Sequence, residues 1–149
     1  MRTTERIVVA APPAAVFAAV ETLDTYPAWL PLVHLAEPAE PAAGDAGPAW
    51  HVELRAKVGP FARSKRLRMV RTEHLPDRLA VFERGEVDGR DHAAWVLRAE
   101  LSEPTPGSTE LAMHLAYDGA LWSGGLLERV LDDQVRQGRA GLTRLVSGG

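Results

Sequence analysis

"TELAMHLAYDGALWSGGLLERVLDDQVRQGRAGLTRLV", residues 109–146, changes its hydrophobic period once, and the architecture turns on that switch. Up to Tyr117 the period is two: Leu111, Met113, Leu115 and Tyr117 alternate with positions that include Glu110 and His114. That is a strand with one dry and one wet face. After Asp118-Gly119 the apolar residues become Leu127, Val130, Leu131, Val135, Leu142, Leu145 and Val146. Glu128, Arg129, Asp132, Asp133, Arg136 and Arg139 lie between them. This is the 3.6-residue period of an amphipathic helix. Over Leu121–Val146 such a helix is roughly 39 Å long at 1.5 Å per residue. Gly138 and Gly141 interrupt it, each at about 1 kcal/mol relative to alanine, so each permits either close packing or a kink. Gly124-Gly125 reads as the helix entry.

Upstream the period-two pattern repeats. In "WHVELRAKV", Trp50, Val52, Leu54, Ala56 and Val58 alternate with His51, Glu53, Arg55 and Lys57. Gly59-Pro60 turns the chain into "ARSKRLRMVRTE", residues 62–73, and Pro76-Asp77 turns it again into "RLAVFERGE", residues 78–86. Asp88-Gly89 is a short hairpin signal. "HAAWVLRAEL", residues 92–101, follows with Trp95, Leu97, Ala99 and Leu101 on one face. "TERIVVA", residues 4–10, is a further strand. Pro12-Pro13 then opens a short amphipathic helix carrying Val16, Phe17 and Val20. Asp24 is suited to cap a second helix, held to a turn or two by Pro27 and Pro31. Residues 37–48, "EPAEPAAGDAGP", lack periodicity and read as a loop.

The expectation is therefore an α+β, helix-grip architecture in a single domain over residues 1–149. A curved antiparallel sheet wraps a long C-terminal helix, with two short helices after the first strand. If the sheet curves more than the helix can fill, a cavity remains between them.

Composition narrows the function. There is no cysteine, which excludes a disulfide framework, thiol catalysis and cysteine-based zinc sites. The net charge of −3 gives no reason to expect nucleic acid as a partner. No apolar run approaches the roughly 20 residues of a membrane span. The N-terminal apolar run is too short for a signal peptide, so a cytoplasmic protein is expected. Fifteen arginines against two lysines, with abundant alanine and no asparagine, point to a GC-rich bacterial genome.

The stretch "IVVAAPPAAVFAAVETLDTYPAWLPLV", residues 7–33, resembles the opening of the START-like, Bet v 1-like (SRPBCC) superfamily, which includes bacterial polyketide cyclase/dehydrase-type proteins. The Ala11–Pro13 step, Val16-Phe17, Tyr26-Pro27 and Trp29 carry the likeness, and the strand run and closing helix agree with it. The resemblance implies a hydrophobic small-molecule ligand such as a polyketide, lipid or isoprenoid-like compound. Two roles follow. One is cyclisation or dehydration of the ligand. The other is non-catalytic carriage of a lipid or quinone, or service as a maturation factor or chaperone. A regulatory domain with a filled core is a third. The resemblance carries over no universal catalytic residue.

The candidate ligand-binding residues are Trp50, Leu54, Phe82, Trp95, Leu97, Met113 and Leu115 on dry strand faces, with Trp29 near the entrance. The same residues also suit a filled core. Tyr117 and Arg84 are the candidate catalytic groups. Tyr117 brings a hydroxyl to the dry face. Arg84 shares a face with Phe82 and either meets a ligand carboxylate or enolate or forms an ion pair with Glu83 or Asp91. The charged run "ERGEVDGRDHAAW", residues 83–95, otherwise reads as a solvated turn. Arg63, Lys65 and Arg71 fall on one strand face and Arg66 and Arg68 on the other, a solvated basic surface, from which Arg63 or Lys65 can reach the cavity. The five histidines lack metal-ligand spacing, and there is no nucleophile elbow or phosphate-binding glycine loop. No metal and no cofactor are expected, and the chain is expected to be a monomer or homodimer.

Overall fold

A computed structural model describes residues 2–58, 60–118 and 126–147. Its elements run β1 (Arg2–Val9), α1 (Pro13–Val20), a 3-10 helix (Leu23–Ala28), β2 (Val33–Pro38), β3 (Ala49–Val58), β4 (Phe61–Leu75), β5 (Leu79–Arg84), β6 (Trp95–Ser102), β7 (Thr109–Tyr117) and α2 (Leu126–Ser147). The seven strands form one antiparallel sheet in the order β1-β7-β6-β5-β4-β3-β2. From β2 to β7 each strand pairs with its successor. Only β1 breaks the sequence, crossing to pair with β7, so α1 and the 3-10 helix lie between strands at opposite edges. The sheet is curved and grips α2, the helix-grip arrangement that the change of period implies. No helix among the described residues is long and apolar enough to cross a membrane.

Alternation decides which side chains go inside. On β3, Trp50, Val52 and Ala56 are buried while His51, Arg55 and Lys57 are exposed. On β7, Leu111, Met113, Leu115 and Tyr117 are all buried. A one-residue slip would turn each set into water, which is what fixes the register.

The glycines of α2 serve close packing. A Cβ on Gly141 would lie 2.6 Å from the Trp29 carbonyl oxygen, and one on Gly138 would lie 2.9 Å from Leu30 Cδ1. The helix thus rides directly on the segment after the 3-10 helix, where Leu142 is fully buried. Arg139 ties it to the sheet edge by donating to the Arg6 carbonyl.

Several sequence expectations change. Residues 37–48 are not all loop, because β2 reaches Pro38. Sequence periodicity does not mark it because it is a short edge strand with a register shift between Val33 and Leu35, which erases the alternation. Asp24 does not cap the second helix. Thr22 holds the cap position without a side-chain bond, and Asp24 accepts a hydrogen bond from Trp50 Nε1 instead. That helix is 3-10 throughout and contains Pro27. Asp88-Gly89 does not close a tight hairpin. Gly89 does take a left-handed φ of 73°, but inside a longer connection over residues 85–94. The proposed helix start at Leu121 and the Gly124-Gly125 entry lie outside the described residues.

The basic strand is a solvated surface only in part: Arg63 and Arg66 are exposed, Arg66 beside Glu53 on β3, but Arg68 is buried and Arg71 half-buried. Arg68 is 3% exposed and its guanidinium grips Asp45 through two bonds, of 3.0 and 2.7 Å. It also donates to the Gly85 and Glu40 carbonyls. Arg71 donates to the Glu21 carbonyl at the end of α1, where the helix leaves acceptors unpaired.

Candidate functional site

The concave face of the sheet carries an apolar cavity of about 50 Å³. Leu54 on β3, Met69 on β4, Leu97 on β6 and Met113 and Leu115 on β7 wall it from the sheet side. Leu23 and Leu30, in and after the 3-10 helix, face them. Trp95 closes part of the wall, and Thr3 and Glu5 on β1 are its polar members among the described residues. The space exceeds the 10–15 Å³ or so needed for one water and falls well below the roughly 300 Å³ of ordinary ligand pockets. A sizeable ligand must therefore push the walls apart, and leucines and methionines are the side chains best able to yield.

The expected ligand-binding residues divide into two groups. Leu54, Trp95, Leu97, Met113 and Leu115 line the cavity. Trp29, Trp50 and Phe82 are buried but belong to an aromatic cluster around Tyr26. Trp50 meets Phe82 edge-on at 5.7 Å, Phe82 meets Tyr26 at 6.1 Å, and Tyr26 meets Trp29 at 5.1 Å. The polar edges of this cluster are all used. Trp29 Nε1 donates to the Ala19 carbonyl, Tyr26 to the Val20 carbonyl, and Trp50 Nε1 to Asp24. Burial pushes the Tyr26 hydroxyl's pKa far up, so it stays a neutral donor. The cluster anchors the helical segment to the sheet. Period-two spacing gave these aromatics the correct face, but depth behind the wall has no signal in spacing.

Tyr117 is 4% exposed and stands against the indole of Trp95, with ring centroids 4.4 Å apart. Arg84, its side chain 8% exposed, is bound into the 85–94 connection. It donates to Glu86 at 3.0 Å, to the Ala93 carbonyl at 3.3 Å and to His92 Nδ1 at 3.2 Å. Its ion-pair partner is thus Glu86 rather than Glu83 or Asp91. Arginine can only donate, so His92 Nδ1 accepts, and His92 Nε2 carries the proton that it gives Asp88 at 2.9 Å. Glu86, Asp88 and His92 hold ligand-type atoms within 4.8 Å of one another. Glu86 Oε1 accepts from Arg84 and from the Arg68 amide, and Asp88 accepts from His92 and from the Arg90 amide. Lys65, whose pKa is lowered by partial burial and then by the nearby Arg84 charge, lies beside the same network. Within the charged run of residues 83–95, Arg84 thus links Glu86 to His92 and through it to Asp88, while Glu83, Arg90 and Asp91 are exposed as a solvated turn would have them.

Wall residues without a forecast are Leu23, Leu30, Leu32, Val33, Val52, Leu67, Met69, Thr3 and Glu5. Parity along β4 and β1 was signal enough for Leu67, Met69, Thr3 and Glu5. Nothing in the sequence marks the leucines of the irregular 3-10 segment.

A family model described as polyketide cyclase / dehydrase and lipid transport matches residues 1–147. No curated protein sequence matches the chain. Among solved structures, a START superfamily protein from Mycobacterium smegmatis superposes with a TM-score of 0.76 at 13% identity, over 99% of this chain and 97% of that one. An aromatase/cyclase from Streptomyces sp. R1128 superposes at 0.68 and 15% identity, over 99% and 93%. A di-domain ARO/CYC protein of the steffimycin biosynthetic pathway gives 0.68 and 15%, over 99% of this chain and 50% of that one. At these identities the likeness establishes the fold alone.

Proposed function

The chain belongs to the polyketide cyclase / dehydrase and lipid transport family, and on that premise we propose that it binds an apolar small molecule, polyketide-, lipid- or isoprenoid-like, in the cavity between sheet and helix. The observation that carries this reading is the wall itself. Leucines, valines and methionines from β3, β4, β6 and β7 converge on one space that the core leaves unfilled. Burying apolar ligand surface there contributes about 25 cal/mol per Å².

Catalysis of cyclisation and dehydration is the finer form of the proposal. The wall would fold a keto chain so that reacting carbons meet, the step in which positioning is worth most. An aldol closure moves a proton from the carbon beside one carbonyl to the oxygen of another, and water then leaves. Tyr117, against the cavity wall at Trp95, is the residue we assign to handle that proton. Arg84 we assign as a positioning residue that holds the 85–94 connection. The second reading, a non-catalytic carrier, is favoured by one observation: the Arg84 guanidinium is committed to Glu86, Ala93 and His92, and the described wall contains no acid–base pair. A soluble protein acting in the cytoplasm suits either role.

Leu97→Trp tests the binding reading by filling the cavity from β6. Overpacking costs roughly 1–3 kcal/mol, which a domain of this size tolerates. Wild-type protein purified natively from its own cells should release an apolar molecule on organic extraction, and folded Leu97→Trp should release none. Equal yields from both, or none from the wild type, would contradict ligand binding in this cavity.

A further inference from the structure

Trp95 is 2% exposed and forms part of the cavity wall, yet its indole N–H has no hydrogen-bond partner among the described residues. The other two described tryptophans, Trp29 and Trp50, both have acceptors. Buried donors are nearly always paired, because an unpaired one forfeits its bond to water. The ring is fixed by Tyr117 on β7, the strand that pairs with its own. The carboxylate of Glu5 cannot serve as acceptor. Glu5 pairs with Met113 and Trp95 with Tyr117, four residues further along β7 and two strands across. That places their Cα atoms roughly 16 Å apart at sheet spacings.

The rest of the wall restricts what the acceptor can be. Among the described wall residues there is no lysine, arginine or histidine, and the one charged side chain, Glu5, is negative. Among these residues a carboxylate or phosphate would meet only the Trp95 N–H, the Thr3 hydroxyl and a like charge, far short of what a buried anion needs. A neutral oxygen needs only the one donor.

We propose that Trp95 Nε1 is the polar anchor of the cavity, donating to a neutral acceptor oxygen, a ketone or ether, on an otherwise apolar ligand, and that the site discriminates against carboxylates and phosphates. This rests on the ligand-binding reading above and narrows it: fatty acids and phospholipid headgroups are excluded in favour of neutral keto compounds.

Three probes sharing one ring system test it at neutral pH: naphthalene, acetonaphthone and naphthoate. Wild type should bind acetonaphthone about tenfold more tightly than naphthalene, the worth of one hydrogen bond to a buried donor, and should bind naphthoate most weakly. Trp95→Phe keeps an aromatic ring and removes the N–H. Whatever its affinity for naphthalene, it should lose the preference for acetonaphthone over naphthalene. In wild type the Trp95 indole proton should move downfield on adding acetonaphthone and not naphthalene, a readout that stands even if the variant fails to fold. Equal affinity for naphthalene and acetonaphthone in wild type, or tightest binding of naphthoate, would overturn the anchor while leaving the cavity reading intact. Binding of none of the three would overturn both.

Discussion

Arg68 and Asp45 show what a single residue's placement contributes. Arg68 sits on the strand face that parity assigns to solvent, yet the segment before β3 folds back over it and its guanidinium is enclosed by Asp45 and two carbonyls. The Arg68 bonds, with help from the Ala42 amide, hold the Asp45 carboxyl down at about 2. A carboxylate with a depressed folded-state pKa stabilises the fold above its unfolded pKa, near 4, and loses that contribution as pH falls through about 2. Asp45→Asn should therefore melt at a lower temperature than wild type at pH 7. The gap should narrow as pH falls from 4 towards 2, and thermal denaturation followed by circular dichroism against pH measures it. A gap independent of pH would mean that the ion pair is not what Asp45 contributes. No sequence signal marks this pair, because Asp45 lies in an aperiodic proline- and glycine-rich stretch and meets Arg68 only through tertiary folding. Trp95 and Trp50 make the same point from the other side. Both were legible as inward-facing, but one walls the cavity and the other packs the cluster behind it, a difference set by sheet curvature.

Secondary-structure elements were mostly readable where one period persisted. β3, β6 and β7 alternate in sequence because one face of each meets the core, although Ala112 on the opposite face of β7 is buried as well. Alternation does not mark β2 because a register shift interrupts it, and the Asp88-Gly89 signal fails to give a tight hairpin because Gly89's left-handed φ sits within a longer connection over residues 85–94. The two glycines of α2 were recognised as a choice between kinking and close packing, and contact with Trp29 and Leu30 decides for packing. Their substitution separates propensity from contact. Alanine is favoured over glycine by about 1 kcal/mol within a helix. At Gly141 the new methyl meets a backbone oxygen at 2.6 Å, which cannot step aside. Gly141→Ala should destabilise the protein by about 1–3 kcal/mol in urea denaturation, in spite of the propensity. Gly138→Ala meets the tip of the Leu30 side chain, which can rotate, and should be near neutral. Equal effects at the two positions would show that α2 does not rest on the Trp29 backbone.

For the whole molecule, the fold followed from the one change of period together with the resemblance of residues 7–33, because a curved sheet and an amphipathic helix have few other ways to bury each other's apolar faces. The size of the cavity on the sheet's concave face depends on side-chain depth, and no sequence pattern reports that. The cavity is small, so occupancy must displace its walls, and the flexible side chains there should record it first. Met69 and Met113 lie in the wall on different strands. Labelling the methionine methyls with carbon-13 and titrating the native protein with acetonaphthone reads both directly. Saturable shifts of both the Met69 and Met113 signals, abolished by Leu97→Trp, are the result expected of a ligand held between sheet and helix. Unmoved Met69 and Met113 signals at saturating probe would contradict it.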